Sequence, residues 1–91
     1  MDIDALRTRI DELDEQLVAL LSERATCALA IGKLKEAAGL PIYQPSREAD
    51  VLRHVRTVNN GPLDDDAIGR LFERVIDEAR RLERQASRKA E

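Results

Sequence analysis

Arg24 and Lys35 stand eleven positions apart in a stretch with the periodicity of one long helix. At about 100° per residue, Ile31 and Lys35 both return to within roughly 20° of the direction of Arg24. With Ala28 they make a cationic face with an apolar lining, which suits a small anion. Arg7 lies on the same predicted helix, seventeen residues before Arg24. At about 1.5 Å per residue that separation is roughly 25 Å of rod. Arg7 therefore cannot serve the Arg24 pocket within one molecule, and could reach it only from a second chain.

Further polar residues stand out by position. Arg47 and Glu48 open the second predicted helix, just after the loop that returns the chain past Lys35. Glu83 shares a face of the third with Ile76, Ala79 and Arg80, at offsets of seven, four and three. Several other chemistries lack their parts. The only histidine, His54, belongs to the outer face of the second helix, and no cluster has zinc spacing. No Gly-rich phosphate loop is present. Cys27 has no evident base, and its helix position predicts a buried thiol that simply packs. The remaining set can bind a dianion and stabilise charge in a transition state, without covalent chemistry. Pattern alone leaves a plainer reading open. Among 15 basic residues, some fall at the edge of an apolar stripe and snorkel there.

The elements that must position these groups are helices. The 91 residues hold one Phe, one Tyr and no Trp, and are rich in Ala, Leu, Glu and Arg. Ile3, Leu6, Ile10, Leu13, Leu17, Leu20, Leu21, Ala25, Ala28, Ile31 and Leu34 recur at three- and four-residue spacing. They predict a first helix over about 4–38, ended by Gly39 and Pro41. A second helix is expected over about 46–58, with Ser46 as N-cap, ended by Asn59-Asn60-Gly61-Pro62. A third is expected over about 64–84, with Asp64 as N-cap, Leu63 and Ile68 as a hydrophobic staple, and a frayed tail beyond Arg84. The fold class is all-α, one domain over 1–91, with a long, a short and a medium helix. About 35 residues of helix make roughly 52 Å of rod, whereas a compact domain of this size has a radius of gyration of only about 12 Å. The overhanging apolar stripe needs cover, and a second copy of the chain is the simplest cover.

The formal charge of −3 gives no basic field for nucleic acid. The basic residues near the C-terminus, Arg80, Arg81, Arg84, Arg88 and Lys89, alternate with acids as on a solvated helix face. No apolar run is long enough to span a membrane, and one unpaired cysteine suits a reducing cytoplasm.

The ordered motifs resemble a known family. Leu6-Arg7-Thr8-Arg9-Ile10-Asp11-Glu12-Leu13-Asp14, Leu20-Leu21-Ser22-Glu23-Arg24 and Ile31-Gly32-Lys33-Leu34-Lys35 are similar to the first helix of the all-helical chorismate mutases. Pro41-Ile42-Tyr43-Gln44-Pro45-Ser46-Arg47-Glu48 resembles that family's loop and second-helix start, and Arg70-Leu71-Phe72 through Glu83 its third helix. The loop and the Asn-Asn-Gly-Pro turn look most like mutase domains fused to 3-deoxy-7-phosphoheptulonate synthase, the first enzyme of the shikimate pathway. The resemblance implies an intertwined homodimer that rearranges chorismate to prephenate by a [3,3] shift, on the way to Phe and Tyr. It implies no cofactor and no metal, and leaves room for a shikimate-pathway enzyme as a fused or bound partner.

Carried over by residue, the resemblance gives Arg24, and Arg7 from the partner chain, the two carboxylates of the substrate. It gives Lys35 the ether oxygen, Glu48 the ring hydroxyl, Arg47 the fixing of that loop and carboxylate, and Ile31, Val51 and Ile76 the apolar walls. Three positions depart from the best-known bacterial pattern. Gln44 stands where Asp is common, Ala79 where Ser can occur, and Glu83 where a Gln often donates to the ether oxygen. A carboxylate donates only when protonated, so Glu83 is expected to titrate high or to make activity rise toward acid pH. Two rivals belong beside this reading: an isochorismate pyruvate lyase with the same fold, and a helical dimerisation or regulatory module without catalysis.

Overall fold

Three helices account for most of the residues 2–90 that the computed structural model describes, with side chains described through Arg88. Met1 and Glu91, the ends of the expected 1–91 domain, and the side chain of Lys89 lie outside the described residues. α1 runs Ile3–Ala37, α2 Pro45–Val58 and α3 Asp65–Ala90, with no strand among the described residues. Asp2 caps α1, its Oδ1 accepting from the Ala5 N–H at 2.7 Å. At the other end Gly39 takes φ 70°, while its N–H donates to Glu36 O at 3.2 Å and the Leu40 N–H to Lys35 O at 2.8 Å. This Schellman arrangement needs a residue tolerant of positive φ, which is why glycine sits there.

Two helix ends differ from the sequence expectation. α2 begins at Pro45, with Gln44 rather than Ser46 as its N-cap and no capping side-chain hydrogen bond. Proline lacks the N–H that a first helical residue leaves unpaired, and its φ is already helical, so it takes N1. α3 is capped by Asp64, whose Oδ1 accepts from the Ala67 N–H at 2.7 Å. It continues past Arg84 to Ala90, where the expected frayed tail would be. Helix-forming residues there cost little to keep helical. The tail also has an anchor on α1, because the Ser87 hydroxyl donates to Glu36 Oε1 at 3.2 Å.

α3 is the helix that packs on both of the others. The chain measures 54 × 26 × 14 Å with a radius of gyration of 16.2 Å, well above the compact value of about 12 Å. Its apolar cover is thin. Val55 is the one buried large apolar side chain among the described residues, while Ile3, Leu6, Ile10, Leu13, Leu17 and Leu20 along α1 stay exposed. Ile10 keeps 54% of its surface in solvent. The stripe that the sequence pattern predicts is present; Ala25 and Ala28 are half-buried where α1 meets α3, but among the described residues nothing buries its first part, Ile3 to Leu21. No described helix is long and apolar enough to cross a membrane.

Candidate active site

A cleft of about 460 Å³ opens where α3 crosses between the second half of α1 and the start of α2. α1 contributes Arg24, Ala28, Ile31 and Lys35, one residue from each successive turn. The loop and α2 contribute Gln44, Arg47, Glu48 and Val51, and α3 contributes Ile76, Ala79 and Glu83. Every site residue expected from the sequence thus lines this one cavity, except Arg7. Arg7 is exposed near the far end of α1, as its roughly 25 Å of helical separation from Arg24 requires.

The polar groups are held at defined separations. Lys35 Nζ donates to the Ile42 carbonyl at 3.2 Å, which ties the loop over the end of α1. The same ammonium lies 4.0 Å from Glu83 Oε2, and the two side chains keep only 15% and 9% of their surface exposed. Glu83 Oε2 is buried and accepts no hydrogen bond from the described residues. Burial pushes the Glu83 carboxyl above its ordinary range, against the opposing charges of Lys35 and Arg80. Gly32 makes room for it: a Cβ at that position would lie 3.2 Å from Glu83 Cγ. The interruption of the α1 stripe at Gly32 therefore coincides with the close approach of Glu83.

Three cavity residues differ from the sequence reading or escaped it. Arg80, placed there with the solvated basic face, turns inward: its Nη2 donates to both carboxylate oxygens of Glu48. Its guanidinium also lies 4.8 Å from the Tyr43 ring centroid, over the ring face. The signal for it was its three-residue offset from Glu83. Ile42 joins the apolar wall. Cys27, expected to be a buried packing thiol, is exposed in the chain and lines the cleft. His54 is exposed, and no described group of three or more His, Cys, Asp or Glu side chains could hold a metal ion.

The cleft therefore presents four cations against two carboxylates, with apolar walls between them. That arrangement can fix a small dianion in one conformation and meet new negative charge with donors already in place. Residues 6–84 match the family described as chorismate mutase type II, and the chain belongs to that family. It is 43% identical over 86 residues to the bifunctional chorismate mutase/prephenate dehydratase of Pseudomonas aeruginosa, a match that covers 89% of this chain and 24% of that protein. The chain thus spans about a quarter of the length of such relatives. Among solved structures it superposes on a chorismate mutase from Thermus thermophilus with a TM-score of 0.88 and 36% identity, covering 90% of this chain and 93% of that one. The Helicobacter pylori chorismate mutase in complex with prephenate gives a TM-score of 0.87 at 29% identity, covering 94% and 93%. The likeness to synthase-fused mutases drawn from the loop and turn is corrected by the bifunctional relatives, whose mutase is joined to a prephenate dehydratase.

Proposed function

We propose that the chain is a chorismate mutase, an isomerase that converts chorismate to prephenate in aromatic amino acid biosynthesis. The observation that carries this reading is the convergence of Arg24, Lys35, Arg47, Glu48 and Glu83, from three helices, on one apolar-walled cleft. A unimolecular rearrangement needs no nucleophile, only a flexible substrate held with its reacting ends together. Arg24 and a second copy's Arg7 take the two carboxylates and fold the enolpyruvyl arm over the ring. Ile31, Val51 and Ile76 press the ring from the sides, with Ala79 leaving space. Lys35 and a protonated Glu83 donate to the ether oxygen, where negative charge grows as the C–O bond stretches. Glu48 accepts from the ring hydroxyl, and Gln44 and Arg47 close the loop side.

The second copy is part of the proposal. The exposed row Ile3, Leu6, Ile10, Leu13 and Leu17 would be buried by an intertwined homodimer. The same pairing would carry Arg7 to the other chain's cleft. A fused or bound partner that consumes prephenate fits the naming of the relatives, and a cytoplasmic setting fits the free Cys27.

Incubating the purified chain with chorismate at pH 5 and pH 7.5 and identifying the product tests the reading. Prephenate is the expected product, formed faster at pH 5. No turnover of chorismate would remove the mutase, and release of pyruvate from isochorismate would put the lyase in its place.

A further inference from the structure

Arg80 has no role in the reading above, yet it is the most tightly engaged cation in the cleft. It lies on α3, and its partner Glu48 lies on α2, 32 positions earlier in the chain. The two side chains keep 23% and 27% of their surface exposed. Nη2 donates to both oxygens of the Glu48 carboxylate, and one face of the guanidinium lies on the Tyr43 ring at 4.8 Å from its centroid. Nη1 is 3.9 Å from Asp77 Oδ1, one turn back on the same helix. The side chain is thus committed on three sides, to α2, to the loop and to its own helix. Among the described residues, no other side chain donates to the Glu48 carboxylate.

This commitment separates Arg80 from Arg24 and Lys35. Its Nη2 is engaged by Glu48 and one face of its guanidinium by Tyr43, while Nε and Nη1 make no hydrogen bond to described residues. Its effect falls on Glu48. An unpaired carboxylate in a cleft that takes a dianion would repel it, and could swing toward Arg47, one residue away. With Arg80 in place, the Glu48 oxygens are charge-balanced and aimed, and their remaining lone pairs are free to accept. Resting on the mutase reading, we propose that Arg80 is a positioning residue for this site: braced by Tyr43, it holds Glu48 in the cleft wall as the acceptor for the substrate's ring hydroxyl.

The ring hydroxyl keeps its own bonds throughout the [3,3] shift, so an acceptor for it contributes binding in the ground and transition states alike. Loss of Arg80 is therefore expected to raise KM more than it lowers kcat. A double-mutant cycle tests the route of the effect, with steady-state chorismate turnover measured for the unaltered chain, Arg80→Met, Glu48→Gln and the pair. Arg80→Met is expected to lower kcat/KM about tenfold or more in the unaltered background, and less than about threefold when Glu48 is already Gln. Arg80→Lys, which keeps the charge but loses the planar contact with Tyr43, is expected to fall between. It also keeps the test open if the methionine variant folds poorly. Equal losses in the two Glu48 backgrounds would overturn the proposal, since Arg80 would then act on the substrate directly. So would an unchanged kcat/KM in Arg80→Met beside an active unaltered chain. No turnover by the unaltered chain would remove the mutase reading, and this proposal with it.

Discussion

Replacing Glu83 with Gln separates a donating acid from a bystander carboxylate. Glu83 is 9% exposed, and its buried Oε2 meets no donor nearer than the Lys35 ammonium at 4.0 Å. Arg80 faces it from α3, and Lys33, Glu36 and Ser87 line the recess behind it. Desolvation outweighs the two nearby cations, so the carboxyl holds its proton to higher pH than an ordinary Glu. A bound dianion would push in the same direction. If the acid form donates to the ether oxygen, activity is full below the raised pKa and is lost as pH rises through it. Above that point the protonated fraction falls tenfold per pH unit. Two units then cost about 100-fold, or about 2.7 kcal/mol of transition-state stabilisation. Gln carries a donor of similar reach that does not titrate. Its kcat/KM should therefore be flat across the same range and stay within about tenfold of the acid plateau, whereas Glu83→Ala should lose about 10²–10³. The assay is kcat/KM for chorismate from pH 4.5 to about 8.5, since that ratio reports groups of the free enzyme. Superposable profiles for the unaltered chain and Glu83→Gln would refute the reasoning. Stability carries the same sign. A carboxyl raised in the folded state stabilises fully below its ordinary pKa, and that contribution is lost as pH rises through the folded value. Glu83→Gln should therefore melt higher than the unaltered chain at pH 8.

Four further outcomes are expected. Arg24→Ala should lower turnover by about 10²-fold or more, and an unaffected rate would favour a non-catalytic module. Mixing Arg7→Ala and Arg24→Ala chains, each inactive alone, should restore roughly a quarter of the activity, because mixed dimers form in half the pairings and hold one intact site of two; no recovery would place Arg7 outside the partner's cleft. Leu13→Glu, which puts a charge in the uncovered α1 stripe, should shift the chain to monomer by sedimentation and abolish activity at micromolar protein. Gly32→Ala should gain about 1 kcal/mol of helix propensity yet lower kcat by up to about tenfold by displacing Glu83; a faster or unchanged enzyme would show that Glu83 yields to the methyl without consequence.

The legible parts of this protein are those set by local geometry. The α1 contribution to the cleft follows from rotation per residue along one rod, so Arg24, Ile31 and Lys35 could be placed together before any packing was known. The break before α2 was marked by Gly39, which takes the positive φ that other residues avoid, and by Pro41, which cannot continue a helix. Arg80 was not legible in the same way. It neighbours Ala79, and whether it turns to solvent or inward depends on how α3 lies against α2, a tertiary fact. Cys27 went the other way: its position predicts burial, but in the chain's own fold it is exposed on the cleft. The end of α3 was missed for a weaker reason. Helix propensity has no sharp boundary in a polar tail, and the Ser87–Glu36 contact joins residues 51 apart in sequence.

On the proposed reading, the 35-residue α1 carries one arginine for its own cleft and another for a neighbour's. The chain alone is then not the catalytic unit, and the reaction becomes second order in protein at high dilution. Specific activity would then fall as enzyme is diluted through the dimer dissociation constant, although the chemical step involves a single substrate molecule. Inside a cell, halving the amount of chain made would cost up to three-quarters of the flux in that regime, so expression level and dimer affinity together would set how steeply the step responds.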